Sequence, residues 1–363
     1  MEKPNVTKYI KKYLPPVVFV VVIILSFILT DVVLQIKSED GIKQAKEFYY
    51  QPKNSIDVAF LGSSHIHCNV NTAVLWKEYG IASYDLSAAE QPLWITYHYF
   101  KEMLKTQSPK LVVIDMFIPV RYKDDYRYRW IMDNLYGMRF SKNKIDMMQV
   151  AVEKDVFWDY FPSYFGYHSR YDEVGRKDIQ YIFRTPSDKR AFKGYVPYFE
   201  RRILEEPKIC DMYDVTAVQD DRKIAETPEN LTPRSLEYLN KIIDLAKAND
   251  IELMFMATPY EILPEEMADY EQIEEIAKNN SIYFINYNLN YKDFGIDYAN
   301  DFNDFSHLNY EGSCKFTSYL GKDLKDRYDI PDRRGDERYV SWDENAQIIE
   351  TMAVENPIVT VIE

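Results

Sequence analysis

Apolar positions arrive along this chain in three textures. The first is a continuous run. Tyr13 to Thr30 carries no charged residue and is densest from Val17 to Leu25, and apolar character resumes after Asp31 as far as Ile36. A helix of about 20 residues, at 1.5 Å per residue, spans the hydrocarbon core of a bilayer, so residues 13–36 are predicted to form a single transmembrane anchor. Lys3, Lys8, Lys11 and Lys12 precede it. Positive charge concentrates on the cytoplasmic flank, which predicts a cytoplasmic segment 1–12 and an extracellular body at the cell membrane. A cleaved signal peptide is the alternative, but no small-x-small cleavage site follows the run.

The second texture alternates short apolar runs with amphipathic stretches. After a polar connector at 37–54, strands are predicted at Ile56–Leu61, Ala82–Leu86, Leu111–Asp115, Ile251–Met256 and Ile282–Tyr287. Between them lie predicted helices at Thr72–Tyr79, Trp94–Lys105, Glu265–Lys278 and Tyr310–Arg327. Another starts at Thr232-Pro233, a capping residue followed by proline at the first helical position. Its Leu236, Leu239, Ile242, Ile243 and Ala246 share one face. Strands separated by helices predict a parallel sheet covered on both faces, built from 55–120 and 231–330.

The third texture fills 121–230, which is aromatic, charged and without clear strands. Eleven tyrosines fall between 120 and 200, among them Tyr122, Tyr126, Tyr128, Tyr160, Tyr164 and Tyr167. This predicts a helical insertion whose rings either pack a core or offer a sugar-stacking surface. The tail 331–363 is charged and ends in the apolar patch Pro357–Ile362; its pattern fits an edge strand or an unpacked end equally well.

Composition narrows the partners. The net charge of −14 over 363 residues argues against nucleic acid, which needs a basic face. Cys68, Cys210 and Cys314 form no CxxC pair, so neither a zinc site nor a disulfide scaffold is expected. His65 and His67 stand beside Cys68, but a metal needs further ligands and none is visible. No phosphate-cradling glycine motif is present, and no metal or dissociable cofactor is expected.

One constellation carries chemistry. Gly62-Ser63-Ser64-His65 closes the first strand, and ligands of open parallel sheets bind outside the carboxyl ends of the strands. Gly62 permits a tight turn, and a helix starting just beyond would present free N–H groups near the serine. Capping that helix is the bland role for Ser63 and Ser64. A nucleophilic serine needs a base oriented by a carboxylate. Of five histidines, His307 lies in Asp301-Phe-Asn-Asp-Phe-Ser-His-Leu-Asn-Tyr-Glu-Gly312, three residues after Asp304. His168 and Arg170, in Tyr167-His-Ser-Arg170, are candidate contacts for a sugar or anionic substrate, or members of a structural network.

GSSH after the first strand and Asp304-Phe-Ser-His307 near the C-terminus resemble the first and last blocks of the SGNH (GDSL-like) hydrolase superfamily. The Asp-x-Ser-His-Leu-Asn-Tyr-x-Gly form, the anchor and the aromatic insertion resemble its cell-envelope branch, which includes the D-alanyl transfer protein of teichoic acids and exopolysaccharide O-acetyltransferases. The resemblance covers roughly 55–120 and 230–330. It implies a three-layer, flavodoxin-like α/β fold with Ser64 as nucleophile, His307 as base and Asp304 as its orienter. The family's second block supplies an oxyanion-hole glycine; the matching Asp85–Pro92 carries Ala89 or Glu90 there. With Gly62, Ser63 and His65, these two are expected to shape the oxyanion pocket. The third block's asparagine is missing from Met116-Phe-Ile-Pro119.

The resemblance implies an extracytoplasmic serine acyltransferase, foremost of acetyl, acting on a cell-surface polysaccharide beside a multi-span membrane-bound O-acyltransferase. A carbohydrate esterase using the same triad is a second reading. An inactive glycan-binding or assembly protein that keeps the fold is a third.

Overall fold

The computed structural model describes residues 6–123, 130–181, 183, 192–206 and 231–361. Tyr126, Tyr128, Cys210 and Ile362 therefore lie outside the described residues. The chain divides into two compact units, 1–37 with 152–188, and 38–151 with 189–363.

The first unit is built on helix α1 (Val6–Leu34). Within it, Lys11–Leu34 is long and apolar enough to cross a membrane. Short helices at Phe157–Tyr160, Ser163–Tyr167 and Arg176–Tyr181 complete the unit.

The second unit is a doubly wound α/β sandwich. Its strands are β1 (Val58–Gly62), β2 (Ser83–Ser87), β3 (Leu111–Asp115), β5 (Glu252–Ala257) and β6 (Tyr283–Asn286), all parallel in the order β2-β1-β3-β5-β6. That is the flavodoxin-like order, which reverses between β1 and β3 and opens a crevice at their carboxyl ends. The strands read as unbroken apolar runs because both faces are covered. Val58, Phe60, Leu111, Val113, Met254 and Met256 pack with Leu75, Phe316, Leu320 and Leu324 from helices α4 (Thr72–Tyr79) and Tyr310–Arg327. The alternate residues Ala59, Leu61, Val112, Ile114 and Phe255 point the other way and are equally buried. Helix α5 (Leu93–Met103) packs there against Pro233–Ala248.

Three segments depart from the sequence reading. The connector 37–54 holds helix α2 (Ile42–Phe48), whose Ile42, Ala45 and Phe48 are buried against the unit. Phe48 meets the Tyr84 ring of β2 edge-on at 5.7 Å. Nor is 121–230 one insertion. Its helices at Ile131–Leu135 and Lys142–Ala151 belong to the α/β unit, where Asn143 bonds His98 and Asn134 accepts from Tyr99, while 152–188 goes with α1. The tail is also built in. Trp342, Ala346 and Ile349 form a buried stripe on helix Val340–Glu355, and Trp342 donates its indole N–H to Ser83 O at 3.0 Å. The terminal apolar patch does not extend the main sheet. Val359–Thr360 (β7) pairs in parallel with Glu200–Arg201 (β4) as a separate two-stranded ribbon. Charged residues on the outer faces of these segments masked apolar positions at helical spacing.

Candidate active site

The site sits where β1 ends. Gly62 takes φ 147°, and a Cβ there would stand 2.6 Å from the Asp115 Cβ, so only glycine fits the turn. Ser63 then caps helix α3 (Ser64–Asn69), accepting the His65 N–H at 3.3 Å. The two serines divide the roles. Ser63 is buried as the cap and donates its hydroxyl to Asp115 Oδ2 at 2.6 Å, while Ser64 begins the helix half-exposed. As the first helical residue, Ser64 has an N–H with no carbonyl partner inside the helix.

Ser64 Oγ lies 2.8 Å from His307 Nε2. On the far side of the ring, Nδ1 is 3.0 Å from both Asp304 oxygens. Asp304 accepts the Nδ1 proton, which leaves Nε2 as the acceptor facing the serine hydroxyl. Burial pushes Asp304 up, but the bonds and charge from His307, the Ser306 N–H and Asn303 outweigh it and hold the carboxyl below its ordinary value. A serine hydroxyl, an imidazole and a carboxylate linked in this order can generate an alkoxide-like nucleophile and return its proton to a leaving group. His307 and Ser64, 243 positions apart, are therefore brought together, and Asp304 is where the i, i+3 spacing put it.

A second hydrogen-bond chain, invisible in sequence, holds the base loop. Asn69, last residue of α3, accepts the Leu308 N–H at 2.8 Å and donates to Thr258 Oγ1 at 2.8 Å. The Thr258 hydroxyl is left to donate to His65 Nδ1 at 3.2 Å, and His65 Nε2 pairs with Ser306 Oγ at 2.8 Å. His65 is fully buried and stacked on Phe117 at 3.6 Å. Burial, then the charges of His307, Arg121 and His67, push its pKa well down, so it stays a neutral link. One short helix thus carries the serine and both clasps on the loop of the base. The available signals were a polar residue closing α3 and a threonine at the carboxyl end of β5.

Asp115 is the other unforeseen member. Burial raises it to about 6 against the bonds from Ser63 and the Phe117 N–H. A carboxylate ending an otherwise apolar strand was its mark in the sequence.

Of the two residues of the expected oxyanion turn, Ala89 is corrected. Ala89 donates its N–H to Asp40 O at 2.8 Å, and its carbonyl accepts from Asn134 at 2.8 Å. Both backbone groups of Ala89 are engaged, so it supplies no oxyanion donor. The cause is the close approach of the segment before α2, where a Cβ on Gly41 would lie 2.4 Å from that of Ala88. Glu90 follows at φ 48°. His168 and Arg170 belong to the α1 unit, where His168 bonds the Phe165 carbonyl and Arg170 binds Glu173 and the Leu34 carbonyl. His67 is fully buried, bonded to Ser87 Oγ at 3.0 Å and pushed down to about 3 by burial. Among the described residues no group of three or more metal-ligating side chains converges.

A cleft of about 740 Å³ opens beside the triad, lined by Tyr198, Phe199, Glu200, Asn303, Asn356 and Pro357. The Tyr198 ring meets His307 edge-on at 5.9 Å, and Asn303 bonds Asp304 at 3.1 Å. Another cleft, of about 560 Å³, lies at the amino ends of β5 and β6, the opposite edge of the sheet.

Fold and site together define a flavodoxin-like α/β protein with a Ser-His-Asp arrangement at the carboxyl edge of its sheet. No family model matches the chain, and no curated protein matches it. Among solved structures it is similar to a proposed acylhydrolase from Bacteroides fragilis, at 13% identity and TM-score 0.38, over 78% of this chain and 94% of that one. It is also similar to a GDSL-like lipase from Bacteroides thetaiotaomicron, at 14% identity and TM-score 0.34, over 75% and 88% of the two chains.

Proposed function

We propose that this chain is a membrane-anchored serine acyltransferase that esterifies hydroxyl groups of a cell-surface polysaccharide outside the membrane, acetyl being the foremost acyl group. The observation that carries this reading is the continuous Ser64–His307–Asp304 hydrogen-bond chain, with Ser64 at 2.8 Å from its base. Ser64 Oγ attacks the donor carbonyl as His307 takes its proton; the donor's leaving group departs with that proton, leaving an acyl-Ser64 ester. His307 then deprotonates a sugar hydroxyl, which takes the acyl group and frees Ser64. The Ser64 N–H is the donor available to the tetrahedral oxyanion.

The four lysines that precede the apolar run, Lys3, Lys8, Lys11 and Lys12, support an outside location for the α/β unit. Acyl-coenzyme A is cytoplasmic, so the donor must be relayed across the bilayer, and a multi-span O-acyltransferase is the expected partner. The clefted, aromatic-lined flank at Tyr198 and Phe199 suits a sugar chain, whose apolar faces stack on rings. The same triad with water as acceptor makes an esterase, and the partial exposure of Ser64 and His307 favours keeping that reading.

Wild type and Ser64→Ala are to be compared for covalent labelling by a fluorophosphonate and for surface O-acylation of cells. Labelling and acylation that vanish together in the variant support the reading. Unchanged surface acylation in Ser64→Ala cells refutes both enzymatic roles. An acetyl-ester assay with and without glycan acceptor then separates transfer from hydrolysis.

A further inference from the structure

The anchor unit has a feature that acyl transfer does not use. Tyr13–Leu29 of α1 is exposed along its length, roughly half of each large apolar side chain being open. At 1.5 Å per residue this run is about 25 Å long, close to the hydrocarbon thickness of a bilayer. Where it ends, the rest of the unit begins to climb the helix in order. Tyr164 meets Phe27 with ring centroids 4.5 Å apart, Ser163 donates to Asp31 Oδ2 at 3.0 Å, Arg170 bonds the Leu34 carbonyl, and Lys37 pairs with Asp178 at 3.2 Å. These contacts cover Leu34 and Gln35 and bury Tyr167 completely.

The segment also leaves large apolar side chains uncovered along this stretch. Trp158 is 67% exposed and Tyr171 76%, with Phe165 and Ile179 about half open. They are not scattered. Phe157, Trp158 and Phe161 form one ring cluster with centroids 5.4 to 6.3 Å apart, and Phe165 is 5.8 Å from Tyr164, which itself touches Phe27. Water gives no reason to expose so much aromatic surface, whereas the bilayer interface favours rings with one apolar side and one polar edge. Charges of both signs lie between them in sequence, Arg170, Arg176 and Lys177 against Asp159, Asp172, Glu173 and Asp178, and this mixed set suits a zwitterionic headgroup layer.

From these contacts we propose that residues 157–179 form an interfacial platform lying in the lipid headgroup layer at the C-terminal end of α1. The platform rests on the reading of α1 as a membrane anchor. It gives the anchor a fixed depth: Phe27–Tyr164 marks the edge of the hydrocarbon, and Trp158, Phe165 and Tyr171 stand beside it among glycerol and headgroups.

The test uses the full chain reconstituted in phosphatidylcholine vesicles, with Cys210 and Cys314 replaced by alanine and buried Cys68 retained. A fluorophore is attached to a cysteine at position 20, 165 or 171. Acyl chains carry a nitroxide either near the glycerol or near their ends. The platform is supported when the labels at 165 and 171 lose most emission to the shallow nitroxide while the label at 20 loses most to the deep one. If the labels at 165 and 171 respond only to aqueous iodide while the label at 20 responds to the deep nitroxide, the platform is overturned and the anchor stands; a face reserved for another protein gives this result. If the label at 20 responds to neither nitroxide, the anchor reading falls and the platform falls with it.

Discussion

Replacing Asp304 by asparagine removes one charge and one acceptor from a carboxylate that uses both oxygens. Oδ1 accepts the Ser306 N–H at 2.8 Å and the His307 N–H at 2.9 Å, Oδ2 accepts from Asn303 at 3.1 Å, and both lie 3.0 Å from His307 Nδ1. An asparagine keeps the two backbone bonds only by placing its oxygen at the Oδ1 position. Its amide group then faces the Asn303 side-chain N–H₂, donor against donor, which costs about 1–2 kcal/mol of stability. The larger effect falls on the imidazolium that forms during each proton transfer. An ion pair at about 4 Å contributes roughly 4 kcal/mol at an effective dielectric near 20. The His307 and Asp304 side chains are 18% and 29% exposed, so solvent screens part of that. About 3 kcal/mol remains, equivalent to a kcat loss on the order of 10²-fold, rising toward 10⁴-fold if the amide turns His307 into the tautomer that cannot accept the Ser64 proton. KM is expected to change less than kcat, since Asp304 itself does not line the cleft. Steady-state hydrolysis of an activated acetyl ester, with thermal unfolding as the control, reads both numbers. A folded Asp304→Asn protein with kcat within about threefold of wild type would show that Asp304 neither orients nor stabilises the base.

Asn69→Ala leaves the buried Leu308 N–H without an acceptor and unties Thr258, so a loss of about 1–3 kcal/mol in stability and a lower kcat are expected together; unchanged kinetics would mean that the base loop holds itself. Asp115 sets a pH dependence of stability. Its folded pKa is raised from 3.8 to about 6, chiefly by burial, so its stabilising contribution is fully present below the unfolded value and is lost as pH rises through the folded one. The change is about 3 kcal/mol between about pH 4 and 7. Urea titrations across that range should show the decline in wild type and a flatter profile in Asp115→Asn; parallel profiles would refute it. Trp342→Ala removes a fully buried ring that donates to Ser83 O and lies under the Lys193 ammonium at 3.8 Å. A loss of about 3–5 kcal/mol is expected in chemical denaturation, and a loss below about 1 kcal/mol would mean that the C-terminal helix is dispensable.

The sheet was legible because each strand is apolar on both faces and each is bounded by a polar turn. Leu111–Asp115 and the helices Thr72–Tyr79 and Tyr310–Arg327 agree with the structure residue for residue. Ser64, His307 and Asp304 were legible because a strand end, the loop entering the last long helix of the α/β fold and an i, i+3 spacing identify them. The polar links were not. Asn69, Thr258, Ser306 and Asp115 act through contacts between segments up to 241 positions apart, and no local pattern records such pairings. Ala89 failed for the opposite reason. Its backbone N–H matched a family position, but Asp40, in a segment that reads as a linker, takes that bond. The C-terminal helix was missed because Trp342, Ala346 and Ile349 are diluted by the charges of its outer face.

The hydrogen bonds separate what is fixed in this site from what can vary. Helix α3 carries Ser64 at its first residue and holds the His307 loop through its second and its last, so the distance from Ser64 to His307 depends on one six-residue element. The cleft wall is made elsewhere. Residues 192–201 are laid against the site by Val196 N–H to His67 O at 2.6 Å and Tyr310 N–H to Tyr198 O at 2.7 Å, and their end is closed by pairing with Val359–Thr360. Phe199 and Glu200 face Asn356 and Pro357 across that closure. Substitutions at Phe199, Glu200 or Asn356 can therefore reshape what enters beside His307 without touching a bond of the triad. In the proposed reaction, selection among acceptors falls to this strap and the C-terminal residues paired with it, and the chemistry to α3 and the loop it clasps. Phe199→Ala is accordingly expected to change KM for the glycan acceptor while leaving the rate of fluorophosphonate labelling of Ser64 unchanged. A parallel fall in both would place the strap within the triad's own support and refute this division.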